Sequence, residues 1–218
     1  MSISVIVPAY NEAELLPITI QSLRSIPELS EIIVVDDGSR DNTTKVARRY
    51  ADQVVTSTQN RGKGAALQQG IKVASGDIFL FIDSDLGKSA VLSRYLLRPI
   101  LRGQADMSIA IFPPPAKAGF GLVKGLARWG IRSLTGYEMN APLSGQRALT
   151  REAAAHIRTW DGRFGIEVGM TIDLLREGLT IIEVPIPFKH RETGRNLAGF
   201  WHRGKQCLDV GRMLRQKW

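Results

Sequence analysis

Two aspartates, Asp83 and Asp85, stand one residue apart directly after the apolar run at 78–82. Carboxylates spaced in this way on a turn offer the hard oxygen ligands that Mg²⁺ and Mn²⁺ prefer. A bound ion of this kind can neutralise the charge of a departing phosphate group. An Asp-x-Asp turn also forms without any metal, because aspartate side chains accept hydrogen bonds from nearby backbone amides. The pair therefore predicts a metal site only when its surroundings support one.

Three further segments carry polar residues and glycine beside apolar runs, namely VPAYNE at 7–12, VVDDGS at 34–39 and NRGKGAAL at 60–67. The first two end strand-like runs, and the third begins a helical pattern. Each is a modest signal alone, because glycine, proline and aspartate are common in turns. Ligands of parallel sheets bind beyond the carboxyl ends of the strands, which meet at one edge. We therefore expect these three segments and the aspartate pair to gather along that edge.

The elements that must position these segments alternate regularly in the first half of the chain. Short β-rich runs predict strands at 2–7, 31–35, 53–57, 77–82 and 106–112. Helical spacing predicts helices at 11–25, 41–51, 64–74 and 89–101, with Ser39 or Asp41 as the cap of the second helix. Farther along, the patterns predict strands at 143–149 and 180–185 and a helix at 166–176. This order predicts an α/β fold in which a mostly parallel sheet carries helices on both faces.

The composition is that of an ordinary globular protein. Of the 218 residues, 44% are hydrophobic and 23% are charged, which suits one domain with a substantial core. The single cysteine, Cys207, excludes an internal disulfide and fits a reducing compartment. The chain starts without the basic segment and cleavage site of a signal peptide, and no run approaches the roughly 20 apolar residues that cross a bilayer. We therefore expect a cytoplasmic location.

Taken together and in this order, the four segments closely resemble the family 2 glycosyltransferases of Rossmann-like GT-A fold. The resemblance is specific over residues 2–115 and looser beyond them. It implies a hexosyltransferase with a nucleotide-sugar donor, built as one domain of residues 1–218. Residues 1–115 would form the donor half, and residues 116–218 the acceptor half with a basic C-terminal tail. The sequence lacks a dinucleotide glycine fingerprint and a Walker-type phosphate loop, which argues against a nicotinamide-dependent dehydrogenase.

On the donor side, the resemblance implies that the loop around Tyr10 cups the base and ribose and that Asp37 pairs with the imide of the base. A carboxylate there favours uracil over cytosine, because only uracil presents an N–H at that edge. Asp85 is implied as the stronger metal ligand of the aspartate pair, and Asp36 is expected to hold its own loop by accepting backbone N–H bonds. The residues implied to bind the nucleotide are Pro8, Ala9, Tyr10, Glu12, Asp37, Lys63 and Ser84.

On the acceptor side, Glu167 lies at the start of a predicted helix, where an acidic residue removes the acceptor's proton in inverting relatives. Those relatives carry Glu-Asp, and this chain carries Glu167-Val168. Glu167 is therefore explained equally well as a first-turn glutamate that the helix dipole favours. Asp85 and Glu167 are the two candidate catalytic residues. The segment beneath the sugar and the acceptor is implied to include Ser144, Gly145 and Gln146.

A late histidine extends the candidate metal site to Asp83, Asp85 and His190. In the similar glucosyl-3-phosphoglycerate synthases, a histidine in a comparable position completes the metal shell, and imidazole is an acceptable ligand for Mn²⁺. The alternative is an ordinary surface histidine. Arg191 and Arg195, which follow, could clamp the diphosphate or an acceptor phosphate through paired hydrogen bonds.

The net charge of +8 comes entirely from the second half of the chain. Residues 111–218 hold 17 Lys or Arg against 9 Asp or Glu, whereas residues 1–110 hold 12 of each. The segments 120–135 and 198–218 mix these cations with Trp, Phe and Leu, as helices lying in a membrane interface do. The alternative is that their apolar residues face the core at helical spacing. Nucleic acid is not an expected partner, because no nucleic-acid module is recognised.

These features predict metal-dependent transfer of a hexose, with glucose favoured, from a UDP-sugar, with Mg²⁺ or Mn²⁺ as cofactor. A polyprenyl phosphate, reached by peripheral contact with the inner face of the membrane, competes as acceptor with a small phosphorylated molecule such as phosphoglycerate. A phosphate acceptor is already ionised and needs no strong base, which fits the missing Glu-Asp pair. The same residues are also compatible with a GDP-mannose donor and with a nucleotide-sugar binding module that has no activity.

Overall fold

The structure is a computed structural model that describes residues 1–113, 121–160, 165–188 and 197–218, without the side chains of 197–203. The strands in these ranges are β1 Ile3–Ala9, β2 Glu31–Asp36, β3 Gln53–Thr56, β4 Ile78–Phe81, β5 Met107–Ile111, β6 Arg147–Thr150 and β7 Ile181–Pro185. The helices are α1 Leu16–Arg24, α2 Thr43–Tyr50, α3 Lys63–Val73, α4 Arg94–Leu101, α5 Leu122–Thr135, α6 Arg151–Ala155, α7 Ile166–Arg176 and α8 Leu197–Lys217, with a 3-10 helix at Gly87–Ser93. None of these described helices is long and apolar enough to span a membrane.

The strands of the described ranges form one sheet in the order β3-β2-β1-β4-β6-β5-β7. Neighbouring strands run parallel, except that β6 is antiparallel to both β4 and β5. The predicted α/β class with a mostly parallel sheet is confirmed. Because β6 comes from the second half of the chain and lies between two strands of the first half, both halves build the same sheet.

Both faces of the sheet are apolar and covered by helices, as predicted. Side chains alternate between the faces along a strand, so Ile6 of β1 joins one buried cluster while Val5 and Val7 join the other. Helices α1, α2 and α4 and the 3-10 helix cover the face of Val5, and helices α3 and α5 to α8 cover the face of Ile6. Burial on both faces is the physical reason why these strands are apolar at nearly every position.

Helix boundaries differ from the prediction at three places. The helix predicted at 89–101 is two elements, the 3-10 helix and then α4 from Arg94, because apolar spacing over two turns does not separate the two helix types. The first helix begins only at Leu16, since its proline is accommodated in the first helical turn. The second begins at Thr43 with Asn42 in the cap position, so the predicted caps Ser39 and Asp41 are wrong, although the Thr43 amide donates a 2.9 Å hydrogen bond to the side chain of Asp41.

The strand predicted at 143–149 was placed too early. It begins at Arg147, and the residues before it form a turn. The guanidinium of Arg147 stabilises this turn by donating to the carbonyl oxygens of Ser144 at 2.8 Å and Pro142 at 3.2 Å. The short helix α6 follows directly and was not predicted.

The C-terminal helix α8 packs closely against α5 and α7. A Cβ added at Gly130 of α5 would lie 2.2 Å from Leu214 Cδ2, so a side chain there would displace the buried Leu214. At the end of α8, Lys217 Nζ lies 2.6 and 2.7 Å from the two carboxylate oxygens of Asp173 on α7, and 3.1 Å from Thr159 Oγ1. Lys217 and Asp173 are both buried. This ion pair therefore anchors the end of α8 to the core.

Lys217→Met is expected to lower the free energy of unfolding by about 3 kcal/mol, because it leaves the Asp173 carboxylate buried without its cation. Urea denaturation followed by circular dichroism measures the loss. The matched control is Arg215→Met on the same helix, where the side chain is exposed and the change should stay within about 0.5 kcal/mol. Equal effects of the two substitutions would contradict the anchoring role.

Candidate active site

A cleft of about 660 Å³ opens at the carboxyl edge of the sheet. All four loops singled out in the sequence meet there, so their predicted convergence is confirmed. From the first half of the chain, the lining residues are Pro8, Ala9, Tyr10, Glu12, Asp37, Asn60, Gly62, Lys63, Ala66, Asp83, Ser84 and Asp85. From the second half, they are Val123, Leu143, Gly145, Glu167, Lys205 and Gln206.

The first two loops are joined by hydrogen bonds at the rim of the cleft. The amide of Asn11 donates to Ser39 Oγ at 2.9 Å, and the amide of Arg40 donates to Asn11 Oδ1 at 2.8 Å. Asn11 has a φ of 56°, a left-handed conformation that asparagine tolerates better than most residues. Tyr10, next to it, is 41% exposed. The loop thus presents an aromatic ring at the cleft on a backbone that is held from both sides.

The two aspartates that follow β2 each organise a loop. Asp36 accepts a hydrogen bond from the Ser39 amide at 2.9 Å and another from the Thr44 hydroxyl, which agrees with the structural role expected for it. The buried carboxylate of Asp37 accepts bonds from the amides of Arg61 at 2.9 Å and Gly62 at 2.7 Å. Asp37 therefore holds the glycine loop before α3 while also lining the cleft. Its contact with a base remains a prediction.

A three-charge cluster joins the two walls of the cleft. Lys63 Nζ lies 2.6 Å from Asp83 Oδ1 and 3.2 Å from Glu167 Oε1. Lys63 begins α3, Asp83 follows β4, and Glu167 lies in the first turn of α7. Burial alone would lower the pKa of Lys63, but the Asp83 and Glu167 carboxylates outweigh it and raise that pKa well above its usual value. The ammonium group is therefore held in its charged form.

The turn before β6 forms the floor beside this cluster. Gln146 Nε2 donates to Asp83 Oδ2 at 2.9 Å. A Cβ added at Gly145 would lie 2.1 Å from Lys63 Nζ, so the close approach of the turn depends on glycine. Gln146 Oε1 and Ser144 Oγ are buried and have no hydrogen-bond partner among the described residues. These two oxygens are acceptors that a ligand or a water molecule could satisfy.

Arg147 supports the turn from below. Its side chain is fully buried and also donates to Thr171 Oγ1 of α7 at 3.0 Å. Burial lowers the pKa of Arg147 to about 10, against the opposing effect of Glu167 and Glu183. In the described part of the chain, no carboxylate oxygen lies within 4 Å of the guanidinium. The supporting role of Arg147 was missed from the sequence, where its only signal is a charge at the start of an apolar run.

Glu167 was explained either as a catalytic base or as a first-turn glutamate that the helix dipole favours, and its position is relevant to both explanations. Glu167 is only 8% exposed, yet it lines the cleft from the start of α7. Val168, where inverting relatives carry aspartate, is completely buried in the core. The first-turn position near the positive helix end is thus compatible with both explanations. The catalytic role of Glu167 stays a prediction.

Three predicted residues, His190, Arg191 and Arg195, lie outside the described residues. Within the described ranges, no group of three His, Cys, Asp or Glu side chains is arranged to hold a metal ion. Asp83 and Asp85 do supply carboxylate oxygens to one cleft. That donor chemistry fits Mg²⁺ or Mn²⁺.

Lys205 and Gln206 were missed by the sequence interpretation. Both lie in α8 and line the same cleft as the four loops. In the sequence they belong to a basic segment, and no local motif marks them as residues of a binding site. They reach the cleft because α8 is docked on α5 and α7, which is a property of packing.

Comparison with known proteins agrees with the geometry. Residues 4–149 match the family described as Glycosyl transferase family 2. The chain is 30% identical to glucosyl-3-phosphoglycerate synthase from Mycobacterium tuberculosis, over 99% of this chain and 71% of that protein. It is also 30% identical to dolichol-phosphate mannosyltransferase from Pyrococcus furiosus, over 90% of this chain and 59% of that protein.

A solved structure extends the likeness to the whole fold. The crystal structure of the M. tuberculosis synthase with Mn²⁺, UDP-glucose and phosphoglyceric acid has a TM-score of 0.81 and 28% sequence identity. The match covers 99% of this chain and 79% of that one. The family resemblance and the GT-A fold expected from the four loops are confirmed.

Lys63 is expected to react with an acylating reagent at least about tenfold more slowly than the exposed Lys88 at mildly alkaline pH. The reactive form is the neutral amine, whose fraction falls tenfold for each unit by which the pKa rises. Peptide mapping by mass spectrometry measures the two rates. Glu167→Gln is the matched control for burial, because it removes one carboxylate but not the enclosure and should speed the reaction of Lys63. Equal rates for Lys63 and Lys88 would contradict the ion-paired arrangement.

Proposed function

We propose a donor, a cofactor and an acceptor class for this chain, which belongs to glycosyl transferase family 2 and is a glycosyltransferase of GT-A fold. The proposed reaction is transfer of glucose from UDP-glucose to a phosphorylated acceptor, with Mg²⁺ or Mn²⁺ as cofactor. The observation that carries it is one cleft in which Tyr10, Asp37 and Lys63 share walls with Asp83 and Asp85. Groups suited to a base, a diphosphate and a metal ion thus lie together at the carboxyl edge of the sheet.

The base site is proposed around Tyr10 and Asp37. The exposed ring of Tyr10 offers a stacking surface. The amides of Arg61 and Gly62 orient the Asp37 carboxylate, and a carboxylate with about four lone-pair sites can still accept the N–H of uracil. The solved M. tuberculosis synthase binds UDP-glucose, which supports the same donor here. Pro8, Ala9, Glu12 and Ser84 complete the proposed nucleotide site.

The metal ligands are proposed to be Asp85, Asp83 and His190. When bound, Mg²⁺ or Mn²⁺ would neutralise the negative charge that develops on the departing UDP. Both carboxylate oxygens of Asp83 already accept hydrogen bonds, one from Lys63 and one from Gln146. Each of these oxygens keeps a further lone-pair site that an ion could take. Asp85 is proposed as the primary ligand, as the family resemblance implies.

The phosphate groups are proposed to meet cations from both halves of the chain. Lys63 is held charged at the junction of the two walls, and Arg191 and Arg195 are proposed to clamp the diphosphate or the acceptor phosphate. The turn of Ser144, Gly145 and Gln146 is proposed to lie beneath the sugar, because Gly145 lines the cleft and Gln146 Nε2 holds Asp83 beside it.

The role of Glu167 depends on which acceptor atom reacts. A hydroxyl acceptor must lose its proton during transfer, and Glu167 is the proposed base in that case. An acceptor that reacts through a phosphate oxygen is already ionised at neutral pH and needs no base. Comparing turnover with a small phosphorylated molecule against turnover with a lipid phosphate shows which of these two kinds of acceptor the protein uses.

Asp85→Asn is expected to weaken UDP binding at least about tenfold in the presence of Mn²⁺, because it removes the charge of the primary ligand. Titration calorimetry with UDP, in Mn²⁺ and again in EDTA, measures the effect. The control is Glu152→Gln, an exposed glutamate on α6 that lies outside the cleft, which should leave the affinity unchanged. If the unmodified protein bound UDP equally well in EDTA, the metal role would be wrong, and tighter binding of GDP-mannose than UDP-glucose would overturn the donor.

Release of UDP from UDP-glucose is expected only with phosphorylated acceptors. Phosphoglycerate, glycerol 3-phosphate and a polyprenyl phosphate in detergent are compared with glycerate, glycerol and the polyprenol. Turnover should fall at least about 100-fold without the phosphate, because the cationic site would be left unpaired. Binding of UDP without release of UDP in every arm would favour the binding module, and equal turnover with the dephosphorylated compounds would overturn the acceptor class.

A further inference from the structure

Four large apolar side chains are exposed on the neighbouring helices α5 and α8 and at the residue after α8, and we call them the exposed cluster. Leu122 is 76% exposed, Trp129 56%, Leu208 63% and Trp218 70%. The rings of Trp129 and Trp218 stack with their centroids 5.8 Å apart and their planes at 24°. The alternative that the apolar residues of these helices face the core is right for Leu214, which is buried. It is wrong for Leu122, Leu208 and Trp129, which are exposed. Single exposed apolar residues are common, but a cluster on two neighbouring helices indicates an interaction surface.

The exposed cluster starts at the mouth of the cleft. Val123 of α5 and Lys205 of α8 both line the cleft, and Trp129 meets Trp218 farther along the two helices. The helices therefore run side by side in the same direction. Leu122, next to Val123, and Trp129 are two helical turns apart and so share one face of α5. The apolar surface thus leads away from the cleft along both helices.

Cations flank this apolar surface. The two helices together carry eight Lys or Arg and one acidic residue, Asp209. Of these cations, Lys217 is neutralised by Asp173 in the core and Arg212 lies 3.7 Å from Asp209, whereas Lys124 and Arg215 are exposed. A strongly basic rim around exposed Trp and Leu is the arrangement of helices that lie in the headgroup region of an anionic bilayer.

We infer that α5 and α8 form a docking surface for an anionic membrane, which would deliver a lipid-phosphate acceptor to the mouth of the cleft. The inference of delivery rests on the proposed function, whereas docking itself rests on the surface alone. Charge selects the bilayer over a second copy of this chain as the occupant. A copy using the same surface would bring one basic rim against another, whereas anionic lipid headgroups complement it.

Flotation with lipid vesicles tests the docking surface. The unmodified protein should float with vesicles of phosphatidylcholine containing phosphatidylglycerol, and much less with pure phosphatidylcholine. Trp129→Ser with Trp218→Ser should lower partitioning to the anionic vesicles at least about tenfold. Leu208→Ser alone, a milder change at an exposed position, should lower it in the same direction. Arg215→Gln should lower it about fivefold, and added salt should have a similar effect.

Leu101→Ser is the matched control. Leu101 is also an exposed leucine, 43% accessible, but it ends α4 on the opposite face of the sheet. Its substitution should leave vesicle binding unchanged. Thermal unfolding of each variant verifies that the loss of binding is not a loss of fold. Quenching of Trp fluorescence by brominated lipids should fall in the double Trp variant, which keeps Trp160 and Trp201.

The inference would be overturned if the protein did not float with anionic vesicles, or if the Leu101 and Trp variants lowered flotation equally. A protein dimer that the Trp substitutions dissociate would also overturn it, because the surface would then bind a second copy of the chain. Calorimetry of UDP on the same variants separates this inference from the proposed function. Unchanged UDP binding with no vesicle binding overturns only the docking surface. Vesicle binding without UDP binding overturns only the proposed function.

Discussion

The ammonium group of Lys63 lies between Asp83, which follows the strand β4, and Glu167, which opens the helix α7. Two carboxylates facing one cleft would repel each other, and the partly buried cation between them offsets that repulsion. The same contact joins the wall that the first half of the chain builds to the wall that the second half builds. Gly145 and Gln146 close the floor around it, since a side chain at Gly145 would collide with the ammonium. A metal–diphosphate ligand entering the cleft would meet carboxylates that already have a cationic partner.

The position of that floor follows from one antiparallel strand. β6 enters the sheet between β4 and β5, which brings the turn before it directly beside Asp83. Arg147, the first residue of β6, then ties the turn to α7 through Thr171. Farther along the chain, the pair of Lys217 and Asp173 holds α8 against the same helix. The wall from the second half of the chain is therefore built on the sheet that both halves share.

Local sequence patterns were sufficient for the donor side of this protein. Each loop follows or precedes a strand or helix whose apolar pattern is short-range, and parallel topology alone carries such loops to one edge. Tyr10, Asp37, Lys63 and Asp83 were therefore assigned to one cleft correctly. The α/β class followed for the same reason, because strands buried on both faces must be apolar at nearly every position. The division of 89–101 into two helix types had no such signal.

The part of the cleft from the second half of the chain was decided by contacts between residues far apart in the sequence. Nothing near Lys205 in the sequence marks it as a cleft residue, and only the docking of α8 places it there. The partner of Lys63 on α7 and the support that Arg147 gives to the floor arise in the same way. The sequence by itself determined the fold class and the donor loops, since both depend on short-range periodicity and strand order. The tertiary structure decided which charges meet across the cleft and which leucines of the basic helices face solvent, because packing, unlike periodicity, is not encoded locally.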